Sequence, residues 1–462
     1  MKLLHFIDWG IIASYLLFLI WIGIIKQKNQ TKSQNNFILS GRNISLIGFI
    51  ATLVTTWYGA ILGIGENTLL YGFQTWFIFA LPYYIFAIIY AIWVAPKIRE
   101  RKFLSIPDQF YSCYGESSGI IAALIIIFLS SPAPYLLSLG ILLKFLFGIE
   151  LGFSLIISAF FSTVYIWNGG FTAVIKTDKL QFILMFSGFS LLFIFLWYQI
   201  GHPLEIIKNL PPKYVKPLGG NSLQYVLVWF FIAAWTFVDP GFYQRCAAAK
   251  NPVVAKKGIL FAVFFWGIFD FLTMVCGLYA IGRVTDANAL LSYPILAINI
   301  LPFGFLGLFI TGILATIMST IDSLSLINSI TFGRDILWRI EKKSTNSNPV
   351  LLIKKSIIIT SFISLCLAFL LPSVIKLFYV LGSLFIPGLI LPFIFTFSND
   401  TSKVPKQLAL KWITMPVVLS ILWYSISQIL NSNILDIEPF FPGMILSILF
   451  FIYIKYRTHH GN

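Results

Sequence analysis

Residues 311–335 read TGILATIMSTIDSLSLINSITFGRD. The stretch is a helix too polar for plain contact with lipid. Thr316, Ser319, Thr320 and Ser323 fall three, one and three residues apart, which places their oxygens on one helical face. Hydroxyls and freed carbonyls suit a hard monovalent cation such as Na+, by the logic that gives other hard cations oxygen ligands. They do not suit zinc or copper. One such hydroxyl usually bonds back to its own helix or joins two helices. A whole cluster with Asp322 inside it points instead to an ion site.

The chain around this helix is a membrane chain. Of its 462 residues 58% are hydrophobic and 11% charged, against about 25% charged in a soluble domain. About thirteen apolar runs are long enough to span a bilayer: 6–25, 46–66, 71–95, 118–147, 151–167, 178–199, 223–246, 257–283, 303–331, 353–371, 373–397, 407–430 and 438–456. The formal charge of +15 would suggest nucleic acid in a soluble protein. Here the basic residues sit in the gaps between spans, so they report topology. With the N-terminus outside and the C-terminus cytoplasmic, 25 of the 32 Lys and Arg fall on the cytoplasmic side, as the positive-inside rule requires. These include Lys26, Lys28, Lys32, Arg42, Arg99, Arg245, Arg334, Lys342 and Lys343. The first run is too long for a signal peptide and no small-residue cleavage site follows. Cys113, Cys246, Cys276 and Cys366 form no metal spacing and no disulfide framework. His5, His202, His459 and His460 avoid the deep apolar runs, so a buried His-based metal site is not expected.

Three spans are interrupted. The second holds Thr55-Thr56-Trp57-Tyr58-Gly59, the fourth Ser130-Ser131-Pro132-Ala133-Pro134, and the seventh ends in Asp239-Pro240-Gly241. Such breaks free backbone groups that lipid cannot satisfy, and they are tolerated where they line a cavity. Transporters use them to hold ions and substrates near the midplane.

With those features in place, the chain resembles the sodium:solute symporter family. ATIMSTIDS is similar to that family's motif on its eighth core helix. GGFTAVIKTDKLQ at 169–181 resembles its signature entering core helix five. DPGFYQRCAAAK at 239–250 resembles its signature after core helix six, with Asp239-Pro240 departing from it. The resemblance covers nearly the whole chain. It implies an all-α, LeuT-like fold of two inverted five-helix repeats within one transporter domain over 1–462. An extra helix at 6–25 precedes repeats at 46–199 and 223–397, and two helices at 407–456 follow. It also implies Na+ as coupling ion, no further cofactor, a small-molecule solute as partner and a multi-pass place in the plasma membrane, the cell inner membrane of a bacterium.

Carried onto this chain, the family's shared sodium site takes the carbonyl of Thr316 and the hydroxyls of Ser319 and Thr320. Core helix one adds two carbonyls. Aligning Gly65 with the family's glycine gives Thr55 and Tyr58, and aligning Gly63 gives Leu53 and Thr56; the first fits TWYGAILGIGE better. A second sodium in some members would use Asp178 and Ser323, with Asp322 replacing a serine. Asp178 can also be read as a helix N-terminal acid. Trp57, Gly59, Trp235, Asp270, Asp322 and Glu66 are candidates for substrate binding or coupling. Leu62 stands where sugar-transporting members carry a polar residue. Asp270 lies mid-span among Trp266, Phe269 and Phe271, where a charge is costly and usually faces a cavity or a partner.

Other readings have less support. A membrane enzyme needs converging catalytic groups, and the spans supply no His-acid pair. A channel needs a repeated filter loop. A transporter-like receptor would be expected to carry an appended signalling domain. A proton-coupled symporter of the same fold remains open, given Asp178, Asp270 and Asp322.

Overall fold

The computed structural model describes residues 4–22, 33–341, 348–371, 373–430 and 434–460. Lys26, Lys28, Lys32, Lys342 and Lys343 of the basic loops, and residues 23–25 of the first span, lie outside the described residues. Hydrocarbon offers no water to free N–H and C=O groups, so spanning segments satisfy them internally as helices. Among the described residues there is accordingly no strand, and one isolated bridge pairs Ile44 with Ala249.

Among the described residues, eleven of the thirteen expected spans are helices or a bent helix pair long and apolar enough to cross a bilayer, and those expected at 6–25 and 151–167 are represented by shorter apolar helices, Phe6–Ile20 and Leu151–Phe161. In chain order they begin with the shorter α1 (Phe6–Ile20). The bent pair α2 (Leu46–Trp57) and α3 (Ile61–Tyr71) meets at 55°. Next come α4 (Gln74–Trp93), the short surface helix α5 (Ile106–Tyr114) and α6 (Glu116–Phe147). The helix α7 (Leu151–Ile200) contains two expected spans and is broken at Gly170. It is followed by α8 (Leu223–Ile232), a tight turn of helix over Ala233–Val238, and α9 (Pro240–Ala248). The remainder comprises α10 (Pro252–Ala280), α11 (Ser292–Ile300), α12 (Phe305–Glu341), α13 (Pro349–Leu370), α14 (Val374–Phe395), α15 (Lys406–Leu430) and α16 (Phe440–Thr458).

The helix α12 is the axis of the fold and the most buried of the spans. It packs against α7 through small residues, which let backbones approach. A Cβ on Gly312 would stand 2.7 Å from the Leu184 carbonyl oxygen. The extra helix α1 reaches the start of α12 with a buried acid. Asp8 Oδ1 accepts the N–H groups of Gly304 and Gly307, each at 2.7 Å. Helix N-termini leave such donors unpaired and favour an anion there.

The break in α7 changes one expectation. Gly170 has φ 53°, and a Cβ there would meet the Phe37 carbonyl at 2.7 Å. The second half of α7 starts at that break, so Asp178 sits about two turns inside a helix and not at its N-terminus.

At the end carrying the basic loops the helices are tied shut. The Arg42 guanidinium donates to the carbonyls of Ala247 and Lys102, and Arg99 donates to those of Ala249 and Lys250. Asp108 on α5 pairs with Arg334 at 3.2 Å and with Arg339.

Candidate functional site

The site forms where the broken pair α2–α3 crosses α12. Trp57 ends α2, and Tyr58 leaves the helical region at φ −95°, ψ 18°. Gly59 then passes through a gap that admits no side chain. A Cβ there would lie 2.4 Å from the Tyr135 ring and 2.5 Å from Thr320. At this crossing Thr320 Oγ1 donates to the carbonyl of Thr56 at 2.8 Å and to that of Thr316 at 3.3 Å. Thr56 Oγ1 and Ser323 Oγ are 3.0 Å apart. Ser319 Oγ donates to Asp178 Oδ1 at 2.6 Å, and the Thr52 hydroxyl donates to the other carboxylate oxygen. The structure thus brings Thr316, Ser319, Thr320, Ser323 and Asp178 into one buried set of oxygens.

The hydroxyls of Thr55 and Tyr58 are engaged in packing. The Thr55 hydroxyl returns to the Ala51 carbonyl at 2.9 Å. The Tyr58 hydroxyl donates to the Trp266 carbonyl at 3.1 Å, and its own carbonyl accepts Ile61 N–H at 2.9 Å. The α2 carbonyl that faces Thr320 is that of Thr56.

Arg245 is the residue the sequence misplaced. Counted there among loop cations, it is fully buried beneath the crossing. Its Nη2 donates to Thr52 Oγ1 at 2.9 Å, Thr56 Oγ1 at 2.7 Å and Ser323 Oγ at 2.9 Å, and its Nη1 to the Gly241 carbonyl at 3.2 Å. Thr52 therefore bridges the guanidinium to Asp178. Burying a charge is costly unless it is paired and hydrogen-bonded; here the hydrogen bonds are direct, and the opposite charge of Asp178 is reached through Thr52. The available signal was a lone Arg inside an otherwise uncharged run, Phe242 to Ala249. For Thr52 there was none, since a threonine in an apolar span reads as ordinary packing.

Beside the oxygens lies a cavity of about 110 Å³, whose wall includes Trp57, Tyr83, Tyr135, Trp235, Asp239 and Arg245. Asp239 caps α9, its Oδ1 accepting Phe242 N–H at 2.9 Å, and Pro240 fills the first helical position, where no N–H is needed. Trp57 and Trp235 thus reach the cavity, and Gly59 stands just behind it. Asp270 does not line it. The carboxylate is buried between α10 and α4, where the Tyr84 hydroxyl donates to it. Glu66 is half-buried on α3, and Leu62 is buried; neither lines the cavity. Asp322 is fully buried, and neither of its carboxylate oxygens has a hydrogen-bond partner. Among the described residues no group of three His, Cys, Asp or Glu could hold a metal ion.

A broken helix crossing a hydroxyl-rich one, beside a central cavity, is the geometry of a secondary transporter. Comparison with known proteins agrees. The model of the sodium:solute symporter family matches residues 37–397, and the chain belongs to that family. It is 28% identical over 251 residues to the sodium/pantothenate symporter of Haemophilus influenzae, covering 52% of this chain and 51% of that one. The chain thus spans about half the length of that relative. It is 24% identical over 412 residues to the sodium/glucose cotransporter of Vibrio parahaemolyticus, covering 79% and 75%. Among solved structures, a Na+-coupled sialic acid symporter in a substrate-bound outward-open state superposes with a TM-score of 0.79 at 18% identity, covering 98% of this chain and 97% of that one. That likeness establishes the fold, the LeuT-like inverted repeat.

Proposed function

We propose that this chain is a sodium-coupled symporter that carries a small organic solute across the plasma membrane by alternating access. The observation that carries the proposal is the bond from Thr320 Oγ1 to the Thr56 carbonyl at the break in α2. The last carbonyls of a helix lack intrahelical partners, and here they meet hydroxyls held by the most buried helix. Na+ bound at this crossing takes the Thr316 carbonyl, the Ser319 and Thr320 hydroxyls, and two carbonyls of α2. The pairing of Leu53 with Thr56 is preferred to that of Thr55 with Tyr58, because the Thr56 carbonyl is the one that meets Thr320 at the crossing. The ion joins the first repeat, 46–199, to the second, 223–397. It stabilises the form in which the basic end is tied shut and the cavity is ready to receive solute. Release of Na+ frees α2 from α12 and lets the repeats rock.

Asp178 and Ser323 serve a second Na+ only if Arg245 leaves them, since its guanidinium holds Thr52 and Ser323. The N-terminus lies outside and the C-terminus in the cytoplasm, so the latched end faces inward.

The test is uptake into proteoliposomes with an inward Na+ gradient, screened over radiolabelled amino acids, carboxylates and sugars. At least one solute should accumulate with Na+ and not with K+ in its place. Equal accumulation in K+ would refute sodium coupling and favour the proton-coupled reading.

A further inference from the structure

Two opposite charges line this cavity, Asp239 and Arg245, and they form no ion pair with each other. Gly241 sits between them. A Cβ placed on it would stand 2.9 Å from Asp239 Oδ1 and 3.4 Å from Arg245 Nη1, so the chain keeps that space clear. Three donors belonging to residues of the same wall lack any acceptor, the indole N–H groups of Trp229 and Trp235 and the Nε–H of Arg245. Asp239 is only half-buried and meets no cation among the described residues. Unpaired buried donors cost on the order of 1–3 kcal/mol each, and these belong to residues of the cavity wall.

We infer that the solute is a small zwitterion, with its ammonium group at Asp239 and its carboxylate at Arg245 and Trp235. This rests on the symport reading and names the solute class for the same site. The cavity suits such a molecule and suits its competitors poorly. Around Asp239 stand the rings of Trp57, Tyr83 and Phe242, fixed by edge contacts at 4.6 Å between Trp57 and Tyr83 and 6.1 Å between Trp57 and Phe242. Aromatic rings near a carboxylate favour an ammonium ion. A sugar would find only the Tyr83 and Tyr135 hydroxyls, because those of Thr56 and Thr236 are already engaged, with Ser323 and with the Ala233 carbonyl. A simple anion would satisfy Arg245 but be repelled by Asp239. A simple cation would leave these donors unpaired.

The experiment is a melting-temperature titration of the purified full chain with and without Na+. The panel is the standard amino acids and glycine betaine, against choline, glucose and pantothenate. Stabilisation by Na+ alone reports on the sodium site, and further stabilisation by a panel member reports on the solute site. At least one zwitterion should add to the Na+ shift, and choline, glucose and pantothenate should not. Asp239→Asn keeps a capping oxygen for Phe242 N–H, since Asn caps as well as Asp, but removes the charge. Its shift with Na+ alone should persist, while the zwitterion binds at least about tenfold more weakly, one power of ten being about 1.4 kcal/mol. The inference is overturned if no zwitterion adds to the Na+ shift, if choline, glucose or pantothenate adds instead, or if Asp239→Asn binds the zwitterion as the wild type does. A wild-type chain that does not respond to Na+ at all would count against the symport reading instead.

Discussion

Gly59→Ala is the sharpest probe of how the sodium and solute sites share one backbone. The new Cβ would lie 2.4 Å from Tyr135 Cδ1 and 2.5 Å from Thr320 Cβ and Oγ1, whereas ordinary contacts begin at 3.4 Å. Something must move by about 1 Å. Thr320 belongs to the most buried span, and Tyr135 packs edge-on to Phe378 at 5.4 Å. The linker between α2 and α3 therefore yields, drawing the Thr56 carbonyl away from Thr320. An added methyl group in a packed interior costs about 1–3 kcal/mol. If that cost falls on the sodium-bound form, Na+ affinity drops about 5- to 150-fold. The assay is the Na+ concentration giving half-maximal thermal stabilisation of purified protein. Gly267→Ala on α10 is the control, because a Cβ there meets nothing within 4 Å. A Gly59→Ala protein with the Na+ affinity of Gly267→Ala would refute the reasoning.

Three further outcomes follow from the packing. Asp8→Ala strands the N–H groups of Gly304 and Gly307 and should cost about 1–3 kcal/mol of stability; an unchanged melting temperature would show that α1 does not anchor α12. Asp270→Asn keeps an acceptor for the Tyr84 hydroxyl and lies outside the cavity wall, so it should fold and bind Na+ as the wild type does; lost Na+ stabilisation would place the carboxylate in the sodium pathway. Burial pushes the Asp108 carboxyl up, but Arg334, the Leu104 N–H and Arg339 together hold it below the usual carboxylate range. A group depressed in the folded state stabilises above its unfolded pKa, about 3.9, and loses that contribution as pH falls through the folded value. The melting-temperature gap between wild type and Asp108→Asn should stay constant from pH 8 to about 5 and shrink only below about 4; a gap that closes near neutral pH would refute the pairing.

Much of this architecture was legible in the order of residues, because lipid forces a simple rule on the chain. Every expected span has a helix, and the break at 57–60 falls where Thr-Thr-Trp-Tyr-Gly interrupts an apolar run. The hydroxyl face of α12 was legible too, since its spacing is a property of one helix. What failed depends on which helix lies opposite. Asp270 looks the same in sequence whether it faces a cavity or Tyr84. Arg245 was counted with loop cations because its partners, Thr52, Thr56 and Ser323, come from spans far away in the chain. Carbonyl positions are the least legible, because every residue has one. The contact with Thr320 singles out Thr56.

The most direct measurement is equilibrium binding of radioactive 22Na+ to the purified protein, compared with Ser319→Ala and Thr320→Ala. Wild type should bind Na+ saturably and release it to unlabelled Na+ but not to K+. An oxygen lost from a charged partner costs about 1.5–3 kcal/mol, so each variant should bind about ten- to a hundredfold more weakly. Wild-type binding that K+ displaces equally well, or variants that bind Na+ as tightly as the wild type, would contradict a sodium site at the crossing of α2 and α12.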